Sequence, residues 1–318
     1  AIVAIHNTVR GPAVGGCRMW PYADEDAAIT DALRLSRGMT YKSALAELPF
    51  GGGKSVIIGD PKREKTPALL KAMGRAVDRL GGAYVVAEDV GTTVFDMDTV
   101  ATTTRHVACT SEGSGNPSPY TAEGVLCGIQ ASVQYKLNRN AGDLEGVRVA
   151  VQGLGQVGYA LCALLHKLGA KLIVADIAAD RVERAADEFG ATASDVDAIY
   201  DADVDLFSPC ALGAILDDRT IPRLKARIVA GAANNQLAQD RHGAMLVERG
   251  ILYAPDYAIN AGGVIEIAVS KQGDAAIRKR LKGIGATLLE IFGRADAERA
   301  PTHRIADKMA EERFRRAA

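Results

Sequence analysis

The chain has no excess of charge of either sign: 38 Lys and Arg stand against 39 Asp and Glu in 318 residues. That balance excludes the basic footprint of a nucleic-acid binder and the acidic surplus of a solvating protein. Long apolar runs are missing too, with no stretch near the ~18 residues of a membrane-spanning helix, and no secretory leader is expected. The five cysteines (Cys17, Cys109, Cys127, Cys162, Cys210) are odd in number, scattered and set mostly in apolar stretches, which predicts reduced thiols in a cytoplasmic protein. His6, His106, His166, His242 and His303 show no ligand spacing with one another or with cysteine, so no metal is expected. Proline is sparse and the glycines follow no three-residue period, which rules out collagen and low complexity.

Glycine is what the chain has in abundance, 33 residues, clustered as Gly15–Gly16, Gly51–Gly53, Gly153/Gly155/Gly158 and Gly262–Gly263. Clusters of this kind mark backbone that approaches something closely or takes positive φ. The length exceeds one ordinary domain, so two are expected. Helical periodicity over 24–41 and 67–80 alternates with strand-like runs at Val56–Ile58 and Tyr84–Ala87, the pattern of an α/β layer. Gly113–Pro119 is the clearest punctuation and sets the first domain boundary. A helix over 122–136 and a βαβ series follow (strand 147–152, helix 156–168, strand 171–176, helix 180–189), then strands at 204–208, 227–231 and 251–254. Helices over 275–293 and 304–316 close the chain and are expected to fold back on the first domain.

Gly153-Leu154-Gly155-Gln156-Val157-Gly158 follows a strand and opens a helix, the setting a dinucleotide fingerprint requires. Gly153 permits the tight turn, Gly155 lets a pyrophosphate touch backbone, and Gly158 lets helix and strand pack closely. The helix N-terminus supplies free N–H groups and partial positive charge. Asp176 ends the next strand, 18 residues after Gly158; a carboxylate there accepts ribose hydroxyls and repels a 2′-phosphate, which favours NAD over NADP, although Arg181 stands close by. Gly51–Ser55 ends like a phosphate loop, but Leu48 occupies the position of its first glycine and the pattern fails.

Two lysines lie beside glycine-rich backbone. Lys42 follows a helix, and Lys54 follows the triple glycine; partial desolvation could make either a base, or both could snorkel to the surface. Asp89 ends a strand, where open α/β sheets place their ligands or where a solvated acid can sit. Cys210 has no histidine partner nearby and reads as a buried thiol rather than a nucleophile.

Together these residues resemble the Glu/Leu/Phe/Val amino acid dehydrogenase superfamily, nearest its leucine dehydrogenase branch. The likeness runs in order through Gly11–Trp20, Gly38–Lys42, Gly51–Lys54, Ala87–Thr93, Gly115–Pro119, Gly153–Gly158, Ala232–Gln236 and Tyr253–Asp256 into Asn260–Ile265. It implies an α/β substrate and oligomerisation domain (1–118 plus about 287–318) and a Rossmann-type NAD-binding domain (119–286) separated by a cleft, in a homo-oligomer (dimer or octamer). The implied reaction is reversible, NAD-dependent oxidative deamination of an L-amino acid to its 2-oxo acid and ammonium. Lys42 would hold the substrate carboxylate, Lys54 would activate water, and Asp89 would move protons at the amino nitrogen. Gly15 and Asn235 would also meet substrate, while Thr121, Cys210, Ala211, Asn234, Asn235 and Asn260 would face the cofactor beside the Gly153–Gly158 loop.

Glutamate-specific relatives carry a lysine where this chain has Val14, and an unpartnered carboxylate there would be costly. Val14, Ala87, Val264 and Ile267 match the side-chain pocket and suit a branched apolar substrate, in keeping with the few aromatics; an aromatic amino acid is the alternative. Glu266 departs from a neutral Asn in the family, the stretch from Ala268 diverges, and family members carry a further segment before the point where this chain begins. Two other readings stand beside this one. A non-catalytic NAD-binding sensor would have no need of Lys42, Lys54 and Asp89 together, and a 2-hydroxy-acid dehydrogenase would need a catalytic histidine beside a carboxylate and Arg.

Overall fold

The structure, a computed structural model, describes residues 1–112, 116–211 and 213–315. Its contacts divide the chain into two compact units. The first holds Ala1–Pro117, Glu266–Lys271 and the stretch from Ala310 onward; the second holds Ser118–Ile265 and Gln272–Met309. Gly113, Ser114 and Gly115 of the expected boundary lie outside the described residues, and the division falls just after them. The C-terminal return starts at Ala310 rather than near 287, because the preceding helix packs within the second unit.

The first unit comprises β1 (Ile2–Asn7), β2 (Ala13–Trp20), α1 (Glu25–Leu45), β3 (Gly51–Ile58), α2 (Pro67–Asp78), β4 (Tyr84–Glu88) and α3 (Val94–Ala101). Its sheet runs β1-β3-β2-β4, with β1 antiparallel to β3 and the other pairs parallel. Both faces are covered. Ala13, Cys17, Met19, Ile57, Tyr84 and Val86 pack with Leu70, Met73 and Val77 of α2 and Met97 and Val100 of α3. Ala4 and Val56 pack with Ala28 and Ala32 of α1 on the other face. Strands buried on both sides lose the alternation that marks a half-buried strand, and β3 is buried along nearly its whole length.

The glycine run is therefore strand, not loop, and the close approaches are chain on chain. A Cβ at Gly52 would lie 2.0 Å from the Thr40 nitrogen of α1, one at Gly51 would lie 1.9 Å from the Asn7 carbonyl oxygen, and one at Gly15 would lie 1.8 Å from the Gly53 carbonyl oxygen. Helix α1 starts on an Asp24 cap that accepts from the Ala27 N–H and extends to Leu45, so Lys42 stands inside its last turn rather than after it.

The second unit holds α4 (Ser118–Leu137), β5 (Arg148–Gln152), α5 (Gln156–Lys167), β6 (Lys171–Ala175), α6 (Ala179–Phe189), β7 (Thr192–Ala193), β8 (Leu206–Pro209), β9 (Ile228–Val229), α7 (Arg241–Glu248), β10 (Leu252–Tyr253), α8 (Asp256–Ile259) and α10 (Asp274–Glu298), while α9 (Gly262–Val269) and α11 (Thr302–Arg315) begin in the second unit and end in residues of the first. Its sheet is parallel throughout in the order β10-β9-β8-β5-β6-β7, the doubly wound order of dinucleotide-binding folds. The order reverses between β5 and β8, which places the ligand crevice at their carboxyl ends. No helix among the described residues is long and apolar enough to cross a membrane.

Glycine positions separate cleanly by what surrounds them. Gly52→Ala should destabilise the protein by about 2–3 kcal/mol or prevent folding, since backbone fills the added methyl's place. Gly293→Ala, in the interior of α10 with nothing within 4 Å, should stabilise by about 0.5–1 kcal/mol. Chemical denaturation of both variants checks this, and equal effects would contradict the packing described.

Candidate active site

Strand pleating gathers one set of side chains on a single face of the first sheet. Residues paired across parallel strands point the same way, and Val14–Gly52, Gly16–Ala87 and Arg18–Val56 are such pairs. Val56 belongs to the face covered by α1, so Val14, Gly16, Arg18, Lys54 and Ala87 share that face, and Asp89 follows two residues after Ala87. Val14 and Ala87 are 1% and 5% exposed. Gly15 faces the other way, with its carbonyl taken by the Tyr84 hydroxyl at 2.7 Å, so any contact to substrate would pass through its backbone.

Lys54 and Asp89 meet in a short ion pair, with Lys54 almost wholly buried and the Asp89 side chain 17% exposed. Gly16 stands beneath them. A Cβ there would fall 2.6 Å from the Asp89 Cβ, so the missing side chain opens the gap in which the pair forms. Arg18 Nε donates to the same Asp89 oxygen at 3.2 Å, and Arg18 Nη1 reaches Asp31 at 2.9 Å. The turn is fixed as well: the Asp89 N–H donates to Thr92 Oγ1 at 3.0 Å, Thr92 Oγ1 donates to the Cys17 carbonyl at 2.9 Å, and Gly91 takes φ +83°.

Burial alone would raise the Asp89 pKa, but the charges of Lys54 and Arg18 outweigh it and hold the carboxyl at about 2. Neighbouring Glu88 is pushed up by burial and by the Asp89 charge. Lys42 is half-buried in α1. Arg18 and Thr92 are not marked out as site residues by the sequence, although spacing holds a signal: Arg18 lies two residues beyond Gly16, of the glycine pair, on an extended run.

In the second unit the fingerprint glycines occupy the places their roles demand. Gly153 has φ +96°, and a Cβ at Gly158 would lie 2.0 Å from the Gly153 carbonyl oxygen. Gly155 faces open space and precedes α5, whose first turn has no side-chain cap. The Asp176 carboxylate, at the end of β6, accepts the Leu154 N–H at 2.6 Å and the Ala178 N–H at 2.8 Å, with Arg181 at 3.9 Å. Cys210, whose thiol burial pushes up, follows β8, and its Cβ would lie 3.1 Å from one added at Gly158; Ala211 covers Gly153.

The loop after β9 is tied down from several sides. Asn260 donates to the Ala232 carbonyl at 2.9 Å and to Asn234 Oδ1 at 2.8 Å. Asn235 takes φ +51°, and its N–H donates to Asp256 Oδ2 at 2.7 Å, while the Tyr253 hydroxyl donates to Asp256 Oδ1 at 2.8 Å. The Ala214 N–H joins this loop to the one after β8 through the Asn235 carbonyl at 2.7 Å. The Asn260 Oδ1 is buried and accepts no hydrogen bond in the structure, an acceptor suited to an amide donor at the crevice. An open glycine at a helix N-terminus, a carboxylate at the end of the next strand and this amide acceptor fit a nicotinamide dinucleotide.

Thr121 lies where α9 packs on α4, its Cα 2.7 Å from the place of a Cβ on Gly262. Val264 and Ile267 are one helical turn apart on α9 and so share a face; Ile267 also borders a cleft of about 320 Å³ with Val107, Ala108, Cys109 and Lys271. Glu266 is fully buried on the same helix. Among the described residues no group of three or more His, Cys, Asp or Glu side chains gathers for a metal.

The Glu/Leu/Phe/Val dehydrogenase dimerisation-domain profile matches residues 1–106, and the glutamate/leucine/phenylalanine/valine dehydrogenase profile matches residues 174–282. A leucine dehydrogenase of Thermoactinomyces intermedius is 54% identical over 99% of this chain and 87% of its own length. The chain belongs to the Glu/Leu/Phe/Val dehydrogenase family. An L-tryptophan dehydrogenase of Nostoc punctiforme is 48% identical over 99% of this chain and 89% of its own. The crystal structure of the L-tryptophan dehydrogenase from Nostoc punctiforme superposes with a TM-score of 0.84, covering 99% of this chain and 92% of that one at 45% identity.

The sign of the Asp89 effect is fixed. A carboxyl depressed from 3.8 to about 2 stabilises the fold fully above its unfolded value, and that contribution is lost as pH falls through about 2. Stability should fall more steeply between about pH 4 and pH 2 in the native protein than in Asp89→Asn. Denaturant titrations across that window check it, and parallel curves would deny the ionised pair.

Proposed function

We propose that the protein catalyses reversible, NAD-dependent oxidative deamination of an apolar L-amino acid, branched and leucine-like, to its 2-oxo acid and ammonium. The observation that carries this reading is the buried Lys54–Asp89 pair on the face shared with Val14 and Ala87. Lys42 binds the substrate carboxylate as a point charge. Asp89 orients the amino nitrogen and takes part in its proton transfers. Lys54, once it has given up its proton, draws a proton from the water that attacks the imine carbon of the substrate. NAD, when bound, supplies the hydride acceptor. Gly153–Gly158 hold its pyrophosphate, Asp176 its ribose hydroxyls, and Asn234, Asn235, Asn260 and Thr121 its nicotinamide end, beside Cys210 and Ala211.

Substrate size follows from the wall. Val14 and Ala87 are small to medium and buried, and neither can pair with a carboxylate, which disfavours glutamate. Val264 and Ile267 extend the same aliphatic character. The likeness to a tryptophan dehydrogenase supports an aromatic substrate as the second reading. The dimerisation-domain match over residues 1–106 supports a homo-oligomer built through the first unit.

The test is NADH formation, followed by absorbance, with a panel of L-amino acids. Leucine, valine or isoleucine should turn over best and glutamate should not; turnover of none of them with NAD bound would defeat the proposal. Lys54→Ala should lower kcat by ~10²–10⁴-fold and leave NAD affinity nearly unchanged. In a separate measurement, Asp176→Ala should weaken NAD binding and narrow the preference over NADP; an unchanged preference would remove Asp176 from the ribose site.

A further inference from the structure

The proposed mechanism makes opposing demands on the Lys54–Asp89 pair. Lys54 must be neutral to take a proton from water, yet its charge is the nearest partner of a largely buried carboxylate. Stripping that charge from a lone Asp89 would leave a buried anion unpaired, and the carboxyl would respond by taking up a proton. Asp89 would then be neutral at the moment Lys54 is needed as a base.

Arg18 answers this. Its Nε donates to the same Asp89 oxygen that Lys54 contacts, at 3.2 Å, and a guanidinium does not lose its proton in a protein. The side chain is 19% exposed and is itself anchored: Nη1 bonds Asp31 of α1 at 2.9 Å, and Asp31 accepts the Tyr22 hydroxyl at 2.6 Å. The other groups around Asp89 cannot take the part. Glu88 is an acid, Cys17 is a thiol that burial pushes up to about 11, Tyr84 is a phenol that burial also pushes up, and the Val90 N–H is a dipole.

We infer that Arg18 is the standing counter-ion of Asp89, a positioning residue that keeps this carboxylate ionised and in place while Lys54 changes charge. The inference rests on the reading of Lys54 as the base. On this assignment the Asp31–Arg18–Asp89 chain is a fixed electrostatic support, and Lys54 is the one mobile charge of the set. The proton that leaves Lys54 passes to solvent and returns from the attacking water, so the charge on Asp89 is the same before and after.

Two measurements on the full-length protein decide it. In the first, the pH dependence of kcat/KM is compared for wild type, Arg18→Gln and Arg18→Lys. Arg18→Gln should move the acid limb up by about one pH unit or more, and Arg18→Lys should restore most of that shift. A lower activity with an unmoved acid limb would mean that Arg18 only braces α1 against the sheet, and would overturn the inference. In the second, the Asp89 carboxyl is titrated by carbon-13 NMR in a Lys54→Met variant, its signal identified by loss in Asp89→Asn. With Arg18 as the remaining cation, the carboxyl should stay ionised at neutral pH, with a midpoint below about 5. A midpoint near 7 would overturn the inference even if Arg18→Gln fails to fold. Absence of turnover in wild type would instead defeat the proposed function, while the carboxyl titration would still report on Arg18.

Discussion

A lysine and a carboxylate meet across the buried face of a four-stranded sheet, and the first unit is arranged so that they can. Two ions in a protein interior cost more to desolvate than their attraction returns unless further hydrogen bonds hold them, and removing one partner of such a pair typically costs ~3–5 kcal/mol. Here the further bonds are present. Asp89 receives Arg18 as well as Lys54, and its own N–H is tied to Thr92. Strand β2 contributes by omission: Gly16 gives up its side chain so that Lys54 and Asp89 can close over it. Val14, Gly16 and Arg18 thus lie on one face of β2, with Gly16 as the gap and Arg18 as the second cation.

The second unit solves a different problem, how to hold irregular backbone at the carboxyl ends of buried strands. Loops there cannot rely on water for their polar groups. The segment after β9 is pinned by the Gln236 amide on the Gly231 and Ala233 carbonyls, by Asp256 on the Asn235 N–H, and by Asn260 on the Ala232 carbonyl. Asn235 is held at φ +51°, a conformation an L residue adopts only when its surroundings insist. Asp256 is buried and bonded through both oxygens, so the strain at Asn235 is offset by a charge-assisted bond. Among the described residues of these loops, the Asn260 Oδ1 and the Gln236 Oε1 stay buried without a hydrogen-bond partner.

How much of this could be read in advance varied with the kind of constraint. The Gly153–Gly158 fingerprint was legible because each glycine answers a local backbone demand, and the open space at Gly155 against the collision at Gly158 shows the two demands apart. Lys54 and Asp89 were legible as residue types at strand positions, but their contact was not: it depends on parallel pairing between strands whose order the sequence does not state. Strand β2 went unassigned for the same reason, since a strand buried on both faces and carrying two glycines lacks alternation. The triple glycine looked like a loop that approaches a ligand, whereas Gly52 lies under α1 and Gly53 under the Tyr84 ring. Arg18 was hidden by its ordinary appearance, a cation in a chain that balances its charges.

The low pKa of Asp89 constrains the order of events. On the proposed mechanism this matters because a carboxyl held at about 2 by two cations is a poor proton acceptor at neutral pH, so Asp89 would not take the amino proton while both remain charged. Loss of the Lys54 charge is the step that brings the carboxyl nearer to accepting a proton, and retention of Arg18 is what stops it from doing so too early. On that proposal, the proton affinity of Asp89 would be set by the changing charge of Lys54 against the constant charge of Arg18, rather than by any movement of the strands. A sheet that fixes Arg18 and Asp89 from neighbouring strands, with Lys54 reaching the same carboxylate from the next, would keep the constant charge in place beside the one that is proposed to change.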